Sequence, residues 1–182
     1  DIEDETQKMY KYLLFDFDGT VFDTVEGITK SVRYAINKRG MDAPLDSLRC
    51  FAGPPLVDMY MEHFGGTPEE ADQFVRNFRE RYQPIGLYEC RIFPGITELL
   101  TELRAAGHVT AVATLKPQHL ASTLLERADI TSMFDAICGS STEGHEGTKR
   151  EIITRVMDML GARPEETVLI GDTKYDIHGA HE

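Results

Sequence analysis

Four short apolar runs, set apart by stretches at least long enough for a helix, constrain this chain more than any other feature. They are "YLLFDF" (12–17), "HVTAVAT" (108–114), "FDAICG" (134–139) and "ETVLIGD" (166–172), and each ends near a polar residue or a glycine. Runs of this length and composition are buried strands. Between them, "PGITELLTELRAAG" (94–107) opens on Pro and closes on Gly, and "GTKREIITRVMDMLG" (147–161) keeps its apolar residues three and four apart. Both are helices. Strands alternating with helices predict an α/β fold, a Rossmann-like parallel sheet with right-handed crossovers.

One segment breaks the alternation. Residues 25–90 contain no strand signal and several helical ones, among them "TPEEADQFVRNFRERYQ" (67–83), where Thr67 and Glu70 are spaced for a capping box around Pro68. The segment is too long for a crossover and reads as a helical insertion, hinged near 23–26 and 90–94 and large enough to act as a lid. The expected organisation is an α/β core over 8–24 and 91–182 with a helical domain over 25–90. The chain ends at "DIHGAHE", just after a strand and the start of a helix. A doubly wound sheet usually continues, so a missing C-terminal portion is expected.

Composition narrows the classes of function. With 182 residues, 41% of them hydrophobic, the chain can bury one real core and a small second domain. No apolar run approaches the roughly 20 residues of a membrane span, and residues 1–10 are too acidic for a secretory signal, so a cytoplasmic location is expected. Cys50, Cys90 and Cys138 are widely spaced without CxxC pairing and read as reduced core thiols. A net charge of −12 opposes binding to a nucleic-acid polymer but allows a small anionic substrate in a locally positive pocket.

The first strand carries the chemistry. Asp16 and Asp18 point to one face at its carboxyl end, where open α/β sheets bind ligands. Two carboxylates so close repel unless a cation or a proton separates them, and the pair predicts a magnesium ion. A carboxylate so placed can attack phosphorus while its neighbour handles the proton of the leaving group. For the pair taken alone, two strand-end caps are an equal reading.

The longer pattern separates these readings. "FDFDGTVFDT", then "VATLKP" at Thr114, Lys149 before an apolar helix, and "IGDTKYDI" at Asp172 and Asp176 resemble the four ordered motifs of the haloacid dehalogenase superfamily. Taken singly, Thr114 is a strand-end residue, Lys149 a solvated first-turn lysine and Asp172 an N-cap followed by an exposed acid; their joint order counts against those readings. The resemblance implies Asp16 as nucleophile and Asp18 as general acid, then base for water. It implies Thr114 as a donor to a phosphoryl oxygen and Lys149 as a fixed positive charge. Asp172 would ligate Mg2+ with Asp16 and the backbone carbonyl of Asp18, while Asp176 would orient Lys149 or a metal-bound water. Gly19 and Leu115, which follow Asp18 and Thr114, carry over as substrate-binding positions. Lys116 could face the phosphate or water.

In this superfamily a helical cap inserted after the first motif chooses the substrate. "RCFAGPPLVDMY" (49–60) is similar to the cap loop of phosphoglycolate phosphatase-like and bacterial 5'-nucleotidase-like members, and its rigid Gly-Pro-Pro turn could present Arg49 or Phe51 to the cleft. "MYMEHF" (59–64) reads as the apolar face of a cap helix, "RNFRERY" (76–82) as a solvated helix face, and His145 as a loop histidine. The expected activity is magnesium-dependent hydrolysis of a small phosphorylated metabolite, of phosphoglycolate or nucleoside monophosphate type. A phosphomutase with the same nucleophile and a non-catalytic metal- or phosphate-binding module are the alternatives.

Overall fold

The computed structural model describes residues 10–141 and 148–181. The acidic leader and His145 lie outside the described residues. Four strands form a parallel sheet: β1 (Tyr12–Phe15), β4 (Val109–Pro117), β5 (Ala136–Ser140) and β6 (Thr167–Ile170), in the order β5-β4-β1-β6. Leu14 of β1 sits beside Ala111 on one side and Leu169 on the other. All four strands correspond to runs read from the sequence, and α4 (Ile96–Ala105), α5 (Gln118–Arg127), α6 (Lys149–Leu160) and α7 (Lys174–His181) follow them in turn.

The sheet is covered on both faces, which is why its strands are nearly continuous in apolar residues instead of alternating with polar ones. Leu14, Ala111, Ala113, Ala136 and Cys138 pack with Ile152, Ile153 and Val156 of α6. Leu13, Phe15 and Val112 turn to the opposite face, toward Leu100, Leu124 and Leu125 of α4 and α5. That second cluster runs on through Phe17, Val21 and Phe22 into the helices of the insertion, so one apolar core joins both parts of the molecule.

A feature invisible in the sequence marks the insertion's ends. β2 (Phe22–Asp23) pairs antiparallel with β3 (Arg91–Ile92), two rungs in all. Two residues are too few to show a period, so neither strand was legible. Between them lie α1 (Val25–Asn37), a 3-10 turn over Leu45–Phe51, α2 (Leu56–Phe64) and α3 (Pro68–Tyr82). α3 begins with the expected capping box: Thr67 Oγ1 accepts from the Glu70 amide, and Glu70 accepts from the Thr67 amide. Arg39 and Lys38 at the end of α1 pair with Glu70 and Glu80, tying α1 to α3. Met59 and Tyr60 point inward as "MYMEHF" suggested, and in "RNFRERY" the aromatic residues Phe78 and Tyr82 are buried while Arg76 faces water.

The cysteine reading needs correction. Cys138 is buried and Cys90 half-buried, but Cys50 is exposed, because the 3-10 turn that carries it spends its inward positions on Leu48 and Phe51. Among the described residues no helix is long and apolar enough to cross a membrane.

Candidate active site

The carboxyl ends of the strands bring the predicted polar residues together. Asp16 directly follows β1, its amide donating to the Ile170 carbonyl of β6 at 2.8 Å. The chain then turns tightly, with the Gly19 amide donating to the Phe22 carbonyl, and Gly19 takes φ +86°. A Cβ here would lie 2.2 Å from Asp172 Oδ2, so the glycine is what lets the loop after β6 close on the loop after β1. Thr114 lies in β4, two residues past the Val112 that pairs with Phe15, and is 1% exposed. Its hydroxyl accepts from the Lys116 amide at 3.1 Å.

Lys149 is the first residue of α6, fixed there by a second capping box between Thr148 and Glu151. A lysine in a first turn opposes the helix dipole, and here the opposition has a compensation. Its ammonium lies 2.7 Å from Asp16 Oδ1 and 2.6 Å from Asp176 Oδ1. The lysine stem packs on Gly179 of α7, where a Cβ would come within 2.9 Å of it. Asp176 is buried, its Oδ2 accepting from the Thr173 amide and hydroxyl at 2.9 and 2.7 Å. It is thus a fixed partner of Lys149 and not an exposed acid.

Burial pushes the Asp16 carboxyl up to about 6 against the pull of Lys149, with Asp176 and Asp18 adding to the rise. Burial and the nearby Asp176 likewise raise Asp172. Oxygens of Asp16, Asp172 and Asp176 lie within 4.8 Å of one another. With Asp18 there are four carboxylates, and the buried ammonium groups facing them are those of Lys149 and Lys116. The remaining negative charge and the all-oxygen donor set fit a hard divalent cation such as Mg2+.

Lys116 is turned away from bulk water. It is 6% exposed, and its ammonium donates to Asp18 Oδ1 at 3.0 Å and to the Tyr82 hydroxyl at 2.6 Å. Burial alone would lower its pKa, but Asp18 and Tyr82 outweigh burial and raise it above the ordinary lysine value. Asp18, Leu115 and Lys116 line a cavity of about 150 Å³ whose other wall is the insertion, including Phe51, Phe78 and Tyr82. Arg49 is not brought there. It is exposed and lines a separate cleft with Asp46, Glu89 and Arg91, because the three-residue repeat of the 3-10 turn gives its inward positions to Leu48 and Phe51. The Gly-Pro-Pro turn does reach the core: Gly53 has φ +100°, and a Cβ on it would lie 3.1 Å from Thr173.

Sequence reading did not single out Tyr82. Its spacing from Phe74 and Phe78 is that of a core stripe, and only the shared lining with Asp18 sets it apart.

A family model described as haloacid dehalogenase-like hydrolase matches residues 13–182. A protein from Pseudomonas aeruginosa named 5'-nucleotidase is 41% identical over 172 residues, covering 94% of this chain and 78% of that protein. One from Mycobacterium tuberculosis named tyrosine-protein kinase PtkA is 34% identical over 169 residues, covering 92% of this chain but 57% of its own length. The crystal structure of a predicted phosphatase from Clostridium acetobutylicum superposes with a TM-score of 0.91 at 38% identity, covering 95% of this chain and 81% of that one.

Proposed function

Because the chain belongs to the haloacid dehalogenase-like hydrolases and is a phosphatase of that family, we propose that it is a magnesium-dependent phosphomonoesterase working through an aspartyl phosphate on Asp16. The observation that carries this reading is the Lys149 ammonium, held between Asp16 and Asp176 at the end of the sheet with Asp18 two residues on.

In this reading a carboxylate oxygen of Asp16 forms the bond to phosphorus as the bond to the leaving oxygen breaks. Asp18 delivers its proton to that oxygen. Asp18 then takes a proton from water, the water oxygen bonds to phosphorus, and the phosphorus–Asp16 bond breaks, restoring both carboxyl groups. Lys149 and the Thr114 hydroxyl hold the phosphoryl oxygens, a fixed charge and a neutral donor that need no reorganisation during transfer. Gly19 keeps the loop carrying Asp18 against Asp172. Asp16, the Asp18 carbonyl and Asp172 would hold Mg2+, with Asp176 supporting, and the ion would offset the charge of a dianionic phosphate beside the carboxylates. The helical segment 25–90 acts as the cap, with its Gly53 turn and Tyr82 meeting the core.

For the substrate, a nucleoside monophosphate is favoured over phosphoglycolate. The cap wall of the cavity includes Phe51 and Phe78, apolar surface that suits the flat base of a nucleotide. The name of the relative at 41% identity points the same way. Phosphate release from nucleoside monophosphates, phosphoglycolate and sugar phosphates, with and without Mg2+ and with Asp16→Asn alongside, tests the reading. Magnesium-dependent release lost in the variant supports it; release that survives Asp16→Asn removes the nucleophile assignment.

A further inference from the structure

Asp18, the residue that handles the proton in the proposed reaction, receives its charged contact from a lysine that is itself held by the insertion. Lys116 Nζ lies 3.0 and 3.4 Å from the two Asp18 oxygens. A lysine ammonium has three hydrogens to place, and one that is buried must place them on protein groups. A second polar partner is the Tyr82 hydroxyl at 2.6 Å, with the rings of Phe17 and Tyr82 at 5.7 and 5.1 Å from the nitrogen.

The three residues come from two parts of the molecule. Asp18 and Lys116 follow β1 and close β4, and so belong to the sheet. Tyr82 is the last residue of α3. Its ring stacks on Phe78 at 4.8 Å, and Phe78 contacts Phe74, so its position is set by the packing of the insertion. Any displacement of the insertion as a body carries the hydroxyl away from Lys116.

We infer that Lys116 and Tyr82 are positioning residues that aim the Asp18 carboxyl at the leaving oxygen, and that the aim is complete only while the insertion is seated on the core. An aspartate at a loop end has two rotatable side-chain bonds, and proton transfer demands its oxygen within hydrogen-bond reach of the group it serves. The bifurcated contact from Lys116 restricts both bonds. Tyr82 in turn restricts Lys116, whose four-carbon stem would otherwise let the ammonium follow water when the insertion moves. Proton delivery is thereby reserved for the closed molecule, in which a substrate is already enclosed.

This inference rests on the reading of Asp18 as general acid, and the test keeps the two apart. Tyr82→Phe retains the ring and its stacking and removes the hydroxyl alone. The variant and the parent are assayed with Mg2+ on a nucleoside monophosphate, whose alkoxide must be protonated to leave, and on 4-nitrophenyl phosphate, whose phenoxide leaves unaided. The ratio kcat/KM is the readout because it contains the departure of the leaving group and not the later hydrolysis. The expected result is a loss of about tenfold on the nucleotide against less than about threefold on the nitrophenyl ester, a fraction of the roughly 100-fold or more that a general acid itself contributes. Lys116→Gln is expected to show the same contrast more strongly. Equal losses on both substrates, or none on either, would overturn the inference, since a purely structural role does not read the leaving group. Asp18→Asn is the reference: it must show the contrast itself, and if it does not, the general-acid reading fails first.

Discussion

Lys149 Nζ lies 2.7 Å from Asp16 Oδ1, joining the first residue of a helix to the first residue after a strand across 133 positions of sequence. The contact sets what each side chain can do. Lys149 restrains Asp16 and places a buried positive charge among the carboxylates that a phosphate would meet. Lys149→Met should lower kcat/KM for phosphate release by about 100-fold or more, the scale of a lost electrostatic stabiliser. Because the change also leaves buried carboxylates without their cation, the metal-free variant should be destabilised by about 3 kcal/mol. Steady-state kinetics and urea unfolding in EDTA check the two effects separately; a variant with near-normal kcat/KM would contradict the role assigned to Lys149.

The Asp16 carboxyl gives the metal-free protein a defined pH dependence. Burial raises its pKa from 3.8 to about 6, so the folded state holds the proton more tightly than the unfolded chain. Such a group contributes stability that is fully present below pH 4 and is lost as pH rises through 6. At about 1.4 kcal/mol per unit, the contribution is about 3 kcal/mol. Urea midpoints in EDTA between pH 4 and 7.5, compared with those of Asp16→Asn, should show the parent losing ground to the variant across that window. Saturating Mg2+ should shrink the difference at the upper end, where the carboxylate is charged. Parallel profiles would contradict a burial cost at Asp16 that outweighs the pull of Lys149.

Gly19 and Gly40 form a matched pair. Both have positive φ, +86° and +74°, yet a Cβ on Gly19 meets the Asp172 carboxylate while one on Gly40 meets nothing within 4 Å. Each change to alanine should cost about 1 kcal/mol through backbone strain. Only Gly19→Ala should also weaken Mg2+ dependence and cut turnover, by about 100-fold if the Asp172 loop moves by an ångström. Comparing melting temperature and Mg2+ titrations of activity for the two variants separates strain from displacement.

Gly53→Ala probes the seat of the insertion. Its φ of +100° and the 3.1 Å approach to Thr173 mean that an added methyl group pushes the Gly-Pro-Pro turn off the loop of Asp172. KM for the preferred substrate should rise several-fold, with kcat affected less, as steady-state kinetics can show. An unchanged KM would mean that the turn does not bear on substrate.

The parts of this architecture that were legible in the sequence are those with local signals. The strands announce themselves as apolar runs, and the helix start at Pro68 is marked by Thr67 with Glu70, which form the reciprocal bonds their spacing implies. Asp16, Asp18, Thr114, Lys149, Asp172 and Asp176 stood out because their order along the chain resembles that of the superfamily's four motifs, which fall at expected strand ends and helix starts. Lys116 and Tyr82 were not legible in that way. The stripe of Phe74, Phe78 and Tyr82 has helical spacing whatever its last hydroxyl touches, and nothing near Lys116 in sequence shows that its partners lie 98 and 34 residues away. Arg49 illustrates the converse: a rigid turn was visible, but the turn's orientation, which presents Phe51 and turns Arg49 away, depends on packing.

The two-rung ribbon of Phe22–Asp23 with Arg91–Ile92 is small, yet it closes the base of everything between residues 24 and 90. Since the entropy of closing a loop grows only with the logarithm of its length, the ladder sets the departure and return of the chain almost independently of what lies between. To the sheet, the helices beyond it are one cassette entering and leaving by adjacent posts. A different cassette, longer or shorter, would leave Asp16 and Lys149 where they stand provided it ended on the same two residue pairs and covered the apolar surface around Phe17, Val21 and Phe22.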